Sequence, residues 1–188
     1  MFNKENKSDL LMDIQAFLDL CVGQWFSQRS IYYFQQEKAE SHKSELIVEW
    51  LERDHTEVFS LCQQYQINSK TTIGAQKITW DTSTDWGKPK QIGSAIIIFI
   101  PDVNKPEIGR ILRKVGNSNL PAKLGNYSLG EDEALTLTLE DNNNYLEERL
   151  SFASPNLRLR TSLTKARNGF SQTAFYSEIR KLPPQAAA

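Results

Sequence analysis

The chain has few of the residues that build metal sites and disulfide frameworks. Its 188 residues include two cysteines, Cys21 and Cys62, and two histidines, His42 and His55, and none of the four stands at metal-ligand spacing. We therefore expect no metal site, and both thiols to be free in a reducing compartment. A glycine-rich phosphate loop is also missing, because the stretch IGAQK lacks the required spacing.

The chain also lacks an excess of charge and a long apolar run. Its formal net charge of −1 creates no field that would draw nucleic acid, which favours a small-molecule or protein partner. The longest apolar run, AIIIFI from Ala95, is far shorter than a membrane span. The N-terminal stretch has no long apolar core and so is not typical of a signal peptide. We expect no membrane span, no nucleic-acid partner, and a location in the cytoplasm or the plastid stroma.

The composition and length of the chain indicate one globular domain. Apolar residues make up 39% and charged residues 24% of the sequence, and the length suffices for one core. We expect a single domain over residues 1–184 and a loose tail over residues 185–188, which follows a pair of prolines.

Helical periodicity appears near the start of the chain. Apolar residues recur at helical spacing from Leu10 to Cys21, which predicts a helix over residues 8–22 with Ser8 as its N-cap and Gly23 after its end. A second, shorter helix is predicted in HTEVFSLCQQY, opened by His55.

The remainder of the chain alternates with a period of two. About ten short segments rich in β-branched and aromatic residues are separated by turn signals. Such a series predicts an all-β antiparallel meander, which removes its exposed edges by closing into an up-and-down β-barrel. A two-sheet sandwich is the alternative. We expect helix 8–22 to pack outside the barrel, over Leu157, Leu159 and Leu163.

One predicted hairpin, EERLSFASPNLRLRTSL over residues 147–163, places charge among apolar residues. If residues 145–153 and 157–164 are strands joined by a three-residue turn, then residue 148 faces 162, 150 faces 160 and 152 faces 158. Glu148, Arg158, Arg160 and Ser162 then share one face with Leu150 and Phe152.

Two interpretations of this cluster remain open. A glutamate and an arginine on facing strands are most often an exposed ion pair of little energetic weight. Alternatively, the charges line a cavity whose ligand carries carboxylates and hydrogen-bond donors, as a linear tetrapyrrole does. Its propionates suit arginines, its pyrrole nitrogens suit a carboxylate, and its rings suit aromatic walls.

The same stretch resembles the paired strands of the S-type (CpcS/CpeS) phycobiliprotein lyases. GQWFSQRS from Gly23 is similar to that family's first strand, and GRILR from Gly109 is also similar to a family segment. The order and spacing agree from Phe17 to about Arg180. The resemblance implies a barrel like those of lipocalins and fatty-acid-binding proteins.

The resemblance also implies an activity and a set of site residues. Family members bind a free phycobilin and attach it by a thioether bond to a cysteine of an apo-phycobiliprotein α or β subunit. Glu148 and Arg158 match the family's bilin-binding pair and are the candidate catalytic residues. The same resemblance makes Arg160, Arg29, Trp80 and Ser162 candidate bilin-binding residues, with phycocyanobilin as the expected substrate and no permanently bound cofactor.

The sequence departs from the family at one point. Histidines often follow the first-strand motif in the family, whereas this chain has Tyr32 and Tyr33 there. Three functions therefore stay open: a lyase that acts alone, a subunit that needs a paralogous partner, and a non-catalytic carrier of a bilin or lipid. A homodimer is also left open.

Overall fold

The computed structural model describes residues 12–116 and 120–182. Its helices are α1 (Ile14–Cys21) and α2 (Thr56–Gln64), and a 3-10 turn spans Ser69–Thr71. Ten strands make up most of the remainder: β1 (Gly23–Tyr33), β2 (Lys38–Leu51), β3 (Gly74–Asp81), β4 (Ile92–Pro101), β5 (Ile108–Val115), β6 (Lys123–Leu129), β7 (Leu135–Glu140), β8 (Asn144–Ser154), β9 (Leu157–Ala166) and β10 (Gly169–Arg180).

The ten strands form one closed barrel. Each strand pairs antiparallel with the next along the chain, and β10 returns to pair with β1, for example at Arg29 and Tyr176. Closure gives every strand two hydrogen-bonded neighbours and leaves no sheet edge. The predicted antiparallel up-and-down barrel is therefore confirmed, and the sandwich alternative is wrong.

The register of the β8–β9 hairpin is the predicted one. Glu148 pairs with Ser162, Leu150 with Arg160, and Phe152 with Arg158. The connection differs in detail, because Ser154 pairs with Leu157 and a bulge follows Phe152. One extra residue in the bulge and a two-residue turn give the same parity as the expected three-residue turn.

Helix α1 differs from the prediction in its start. It begins at Ile14 with Asp13 as N-cap, whose side chain accepts a hydrogen bond from the Ala16 amide at 2.7 Å. An aspartate at this position satisfies one of the unpaired amides of the first turn. The predicted cap, Ser8, lies outside the described residues. Val22 is the C-cap, and Gly23 follows with φ +131°.

The place of α1 also differs from the prediction. Its buried face joins the core inside the barrel, where the Phe17 ring meets the Phe152 ring at 5.2 Å. Gln76 Nε2 of β3 donates to the Leu18 carbonyl, and Trp25 Nε1 of β1 donates to the Cys21 carbonyl, both at 2.9 Å. The helix therefore covers the end of the barrel at which β1 begins.

The leucines that α1 was expected to cover stay partly exposed on β9: Leu157, Leu159 and Leu163. The bulky side chains of α1 gain more by filling the open barrel end than by lying on an outer face. Helix α2, in contrast, does pack outside, with Val58 and Cys62 against Ile98 and Leu112. Because α2 covers this outer face, the apolar run of β4 is buried on both sides of the sheet.

Candidate functional site

The barrel encloses a cavity of about 260 Å³ between α1 and the opposite rim. Gln76 and Phe99 line it on the α1 side, and Thr82 and Gln91 line it at the rim. Its wall is apolar on one side, with Leu46, Ile78, Ile97, Leu135, Leu137 and Leu150. Its charged lining is formed by Arg29, His42, Lys43, Arg113, Glu148, Arg158 and Arg160.

Glu148 lies at the centre of a buried ion-pair network. The residue is 7% exposed, since alternation along β8 turns it to the interior between Leu146 and Leu150. Arg113 Nη1 donates to Glu148 Oε2 at 2.8 Å, and Arg160 Nη1 donates to Glu148 Oε1 at 3.0 Å. Both carboxylate oxygens therefore already have a guanidinium partner.

Glu178 of β10 forms the second half of the network and is fully buried. Arg158 Nε donates to its Oε2 at 2.6 Å, and Arg160 Nη2 donates to its Oε1 at 3.0 Å. Arg160 thus bridges the two glutamates. Three arginines face two glutamates, which leaves one positive charge in excess within the network.

This network excludes the simple pairing of Glu148 with Arg158. Each residue has other partners, and Arg158 is only 4% exposed, so the alternative of an exposed cross-strand ion pair is wrong. Buried charges persist only when they are paired and hydrogen-bonded, and these are. The cluster is therefore an interior feature of the barrel.

The arginines also fix the charge of the two carboxylates. Burial alone would raise the pKa of Glu148, but the adjacent Arg113 and Arg160 guanidinium groups outweigh it and hold the pKa below its usual value. Burial is likewise outweighed at Glu178, whose pKa is lowered by Arg160 and Arg158. The same pairing raises the pKa of Arg160 despite its burial. Both glutamates are therefore carboxylates at neutral pH.

Aromatic rings pack against the guanidinium groups of the arginines. The Arg160 guanidinium lies 3.7 Å from the centre of the Tyr176 ring, and that of Arg29 lies 5.9 Å from the same ring. The Arg158 guanidinium lies 4.8 Å from the Trp25 ring. Such cation–π contacts add to the ion pairs and restrict the rotamers of the three arginines.

Two donors in this network have no partner. In the part of the chain that the structure describes, the buried side-chain N and O atoms without a hydrogen bond are Arg113 Nε, Arg160 Nε and Thr84 Oγ1. A buried unpaired donor is costly, and two of these three belong to cavity arginines. An anionic ligand is the chemistry that satisfies such donors.

The structure brings most of the predicted site residues together. Glu148, Arg158, Arg160, Arg29 and Trp80 all line the cavity. Ser162 is buried on the same face, opposite Glu148, but it lies outside the lining. Whether any of these residues binds a ligand stays a prediction.

Sequence reasoning missed four members of the site: Arg113, Glu178, Tyr176 and His42. Arg113 is the last residue of the GRILR segment, and no local pattern in the sequence indicates a role for it. Tyr176 and Glu178 could have been found by extending the parity argument across the next hairpin, because they pair with Arg160 and Arg158. His42 has no metal-ligand spacing and the sequence indicates no functional role for it, but it lines the cavity.

Within residues 12–116 and 120–182, no group of three or more His, Cys, Asp or Glu residues is placed to hold a metal ion. In the same residues, no helix is both long and apolar enough to cross a membrane.

A closed antiparallel barrel with a charged internal cavity defines a class, the small-ligand-binding barrels to which the lipocalins belong. The particular family follows from comparison with known proteins. The chain belongs to the CpeS-like proteins, whose family model matches residues 13–181.

Named relatives cover nearly the whole chain. It is 41% identical over 178 residues to a protein of Synechocystis sp. named chromophore lyase CpcS/CpeS 1, covering 95% of this chain and 96% of the relative. It is 34% identical over 170 residues to a Picosynechococcus sp. protein named phycocyanobilin lyase subunit CpcS, covering 89% and 86%. The solved structure of the S-type phycobiliprotein lyase CPES from Guillardia theta superimposes with a TM-score of 0.79 at 23% identity, covering 96% and 99%. That likeness supports the barrel fold.

Proposed function

We propose that this protein is a phycobiliprotein lyase, which binds a free phycobilin and attaches it through a thioether bond to a cysteine of an apo-phycobiliprotein. Two relatives over most of the chain are named as lyases, one of them for phycocyanobilin. The observation that carries the proposal is the buried network, in which Glu148 lies between Arg113 and Arg160 inside a cavity.

The network suits the charges of a bilin. Two propionates can pair with guanidinium groups, and the ion-pair network already has one positive charge in excess. When a propionate replaces Glu148 as the partner of an Arg113 or Arg160 N–H group, the Glu148 carboxylate becomes free to contact the pyrrole N–H groups. Because its pKa is lowered, Glu148 accepts hydrogen bonds from the pyrroles and stabilises their positive charge rather than donating a proton.

The size of the cavity supports a position for the reacting end of the ligand. At about 260 Å³ the cavity lies below the 300–1,000 Å³ that is typical of pockets enclosing a drug-sized ligand. An open-chain tetrapyrrole therefore extends to the rim, where Thr82 and Gln91 lie. We infer that the reactive ring A ethylidene lies there, within reach of the acceptor's thiol.

The protein needs no nucleophile of its own in this mechanism, because the acceptor brings the cysteine. The barrel orients the bilin, holds one conformer and excludes side reactions with water. Glu148 and Arg158 are the proposed catalytic pair. Arg160, Arg29 and Trp80 are proposed to contact the bilin, with Ser162 behind Glu148.

We further propose phycocyanobilin as the substrate, an α or β subunit as the acceptor, and residues 1–184 as one bilin-binding domain. The Synechocystis and Picosynechococcus relatives come from cyanobacteria, which supports a cytoplasmic location. A second candidate is a subunit of a heteromeric lyase, favoured by the word subunit in the name of the Picosynechococcus relative.

The test is reconstitution from purified components. The protein is mixed with phycocyanobilin, its visible spectrum is recorded, and an apo-phycobiliprotein subunit is added. The lyase proposal expects a shifted absorption band and then a covalent bilin that stays on the denatured acceptor. Binding without transfer would indicate a carrier, and transfer that begins only when a paralogous chain is added would indicate a heteromeric subunit.

A further inference from the structure

His42 lies inside the rim of the cavity on β2. It pairs in register with Arg29 of β1 and lines the cavity with it, and its side chain is 25% exposed. Both nitrogens of its ring have a carboxylate partner. Nε2 lies 3.2 Å from Glu40 Oε2, and Nδ1 lies 3.3 Å from Asp85 Oδ2.

Asp85 is itself held in place. Lys88 Nζ lies 3.3 Å from Asp85 Oδ2, and the same amine contacts the Ser41 carbonyl on β2. The Asp85 side chain is 13% exposed, whereas that of Glu40 is 31% exposed and is shared with Lys38. Asp85 is therefore the fixed partner that orients the imidazole, and Glu40 is the partner that an incoming group can displace.

In the described lining of the cavity, the charged side chains other than His42 are a carboxylate, arginines and a lysine, which ordinarily keep one charge state at neutral pH. Glu148 has two guanidinium partners that hold it as a carboxylate, and arginines keep their protons. Among the described residues that line the cavity, His42 carries the only side-chain type that ordinarily changes charge between about pH 5 and 8. Such a group assists thiol addition to a bilin, because the thiol loses a proton and a ring carbon gains one.

We propose that His42 is the catalytic proton-transfer residue of the lyase reaction and that Asp85 is its positioning residue; this rests on the proposed function. Neutral His42 takes the proton from the acceptor's cysteine, and the sulfur electron pair forms the C–S bond at the ethylidene carbon. The π electrons move to the ring carbon of that double bond. This carbon then takes from the imidazolium the proton that came from the thiol. One S–H bond and one π bond are lost, and one C–S bond and one C–H bond form.

The charges around His42 suit both halves of this cycle. Glu40 on its own strand and Asp85 on the β3–β4 connection stabilise the transient imidazolium. Arg29 from β1, Lys43 on β2 and Lys88 limit that effect, so the proton can be returned. The position is also the required one, since the rim is where the acceptor's thiol meets ring A.

The experiment compares the transfer of phycocyanobilin by the full chain and by His42→Gln, with His55→Asn as the matched control. His55 is the other histidine of the chain and caps α2 outside the barrel, where asparagine is an equally good cap. We expect His42→Gln to bind bilin with the wild-type affinity and spectrum and to transfer it about 10²- to 10⁴-fold more slowly. The control should transfer at the wild-type rate.

Further readouts separate proton transfer from a structural role. The pH profile of the transfer rate should differ between the wild type and His42→Gln, whereas the pH profile of bilin binding should be the same in both. Free imidazole should partly restore transfer by His42→Ala, and Asp85→Asn should show an intermediate rate.

Three outcomes would overturn the proposal. Wild-type transfer by His42→Gln would show that the residue has no part in the reaction while leaving the lyase function standing. Equal losses of binding and transfer would make it a binding residue. A wild-type protein that binds bilin and modifies no acceptor, with or without a paralogous chain, would overturn the lyase function and this proposal together.

Discussion

Arg160 and Glu178 are joined by a 3.0 Å hydrogen bond between Nη2 and Oε1, although neither is the other's direct partner in the β9–β10 register. The contact is diagonal, because Arg160 pairs with Tyr176 and Glu178 pairs with Arg158. Arg160 uses its other terminal nitrogen for Glu148. One side chain therefore couples two buried carboxylates, and a substitution of either glutamate should change the surroundings of the other.

Glu148→Gln keeps the size of the side chain and removes its charge. The variant should bind bilin with an altered absorption band and transfer it more slowly, because the pyrrole nitrogens lose their counter-charge. It should also unfold more easily, by about 3–5 kcal/mol, since Arg113 and Arg160 lose a buried partner. Spectra, transfer rates and urea denaturation measure these effects. Glu147→Gln, on the outer face of the same strand, is the control and should behave as the wild type.

Arg158→Ala should weaken bilin binding more than it changes the colour, because a propionate contact lies outside the conjugated system. Loss of one charge-assisted contact costs about 1.5–3 kcal/mol, or roughly ten- to a hundredfold in affinity. Titration followed by absorbance measures the affinity. The control is Arg149→Ala, because Arg149 lies on the outer face and pairs with Asp132. Unchanged affinity in folded Arg158→Ala would remove this arginine from the site.

Glu178→Gln tests whether a residue outside the cavity lining positions the arginines that are in it. Glu178 fixes Arg158 and Arg160, so we expect a loss of affinity of about tenfold with little change in the bound spectrum. The colour separates this variant from Glu148→Gln, in which the band itself should move. Full affinity would show that Trp25 and Tyr176 suffice to hold the two arginines.

Stability should fall as the solution becomes acidic. The pKa values of Glu148 and Glu178 are lower in the folded protein than the usual value of 4.5, despite burial, because arginines stabilise their charged forms. The unfolded chain then binds more protons than the folded one, so this stabilisation is complete above about pH 5 and is lost as pH falls through the folded pKa values. Urea denaturation between pH 7 and pH 3 should show this loss, with a smaller slope in Glu178→Gln.

Bilin binding should quench tryptophan fluorescence, chiefly that of Trp80. Trp80 lines the cavity and lies against Gly93, whereas Trp86 is 92% exposed and is not part of the lining. Trp80→Phe should therefore lose most of the ligand-dependent quenching, and Trp86→Phe should keep it. Equal quenching in both variants, in protein that binds bilin, would contradict this placement.

Local patterns in the sequence determined the secondary-structure elements of this protein. A period of two along ten segments specifies strands, and alternation specifies which side chains of β8 and β9 face inward, so the interior place of Glu148, Arg158 and Arg160 could be predicted. The same prediction holds for the second strand of a hairpin only if the turn and any bulge together preserve the expected register.

The partners of those side chains were decided by the tertiary structure. Arg113 reaches Glu148 across the barrel from 35 residues away, and no local periodicity encodes which strand lies opposite another. Helix α1 showed an apolar stripe in the sequence, but only closure of the barrel created the open end that it fills. His42 lies in a charged stretch typical of a surface turn, but β2 continues through that stretch, so His42 lines the cavity, and the pairing of β2 with β3 brings it beside the β3–β4 connection at the rim.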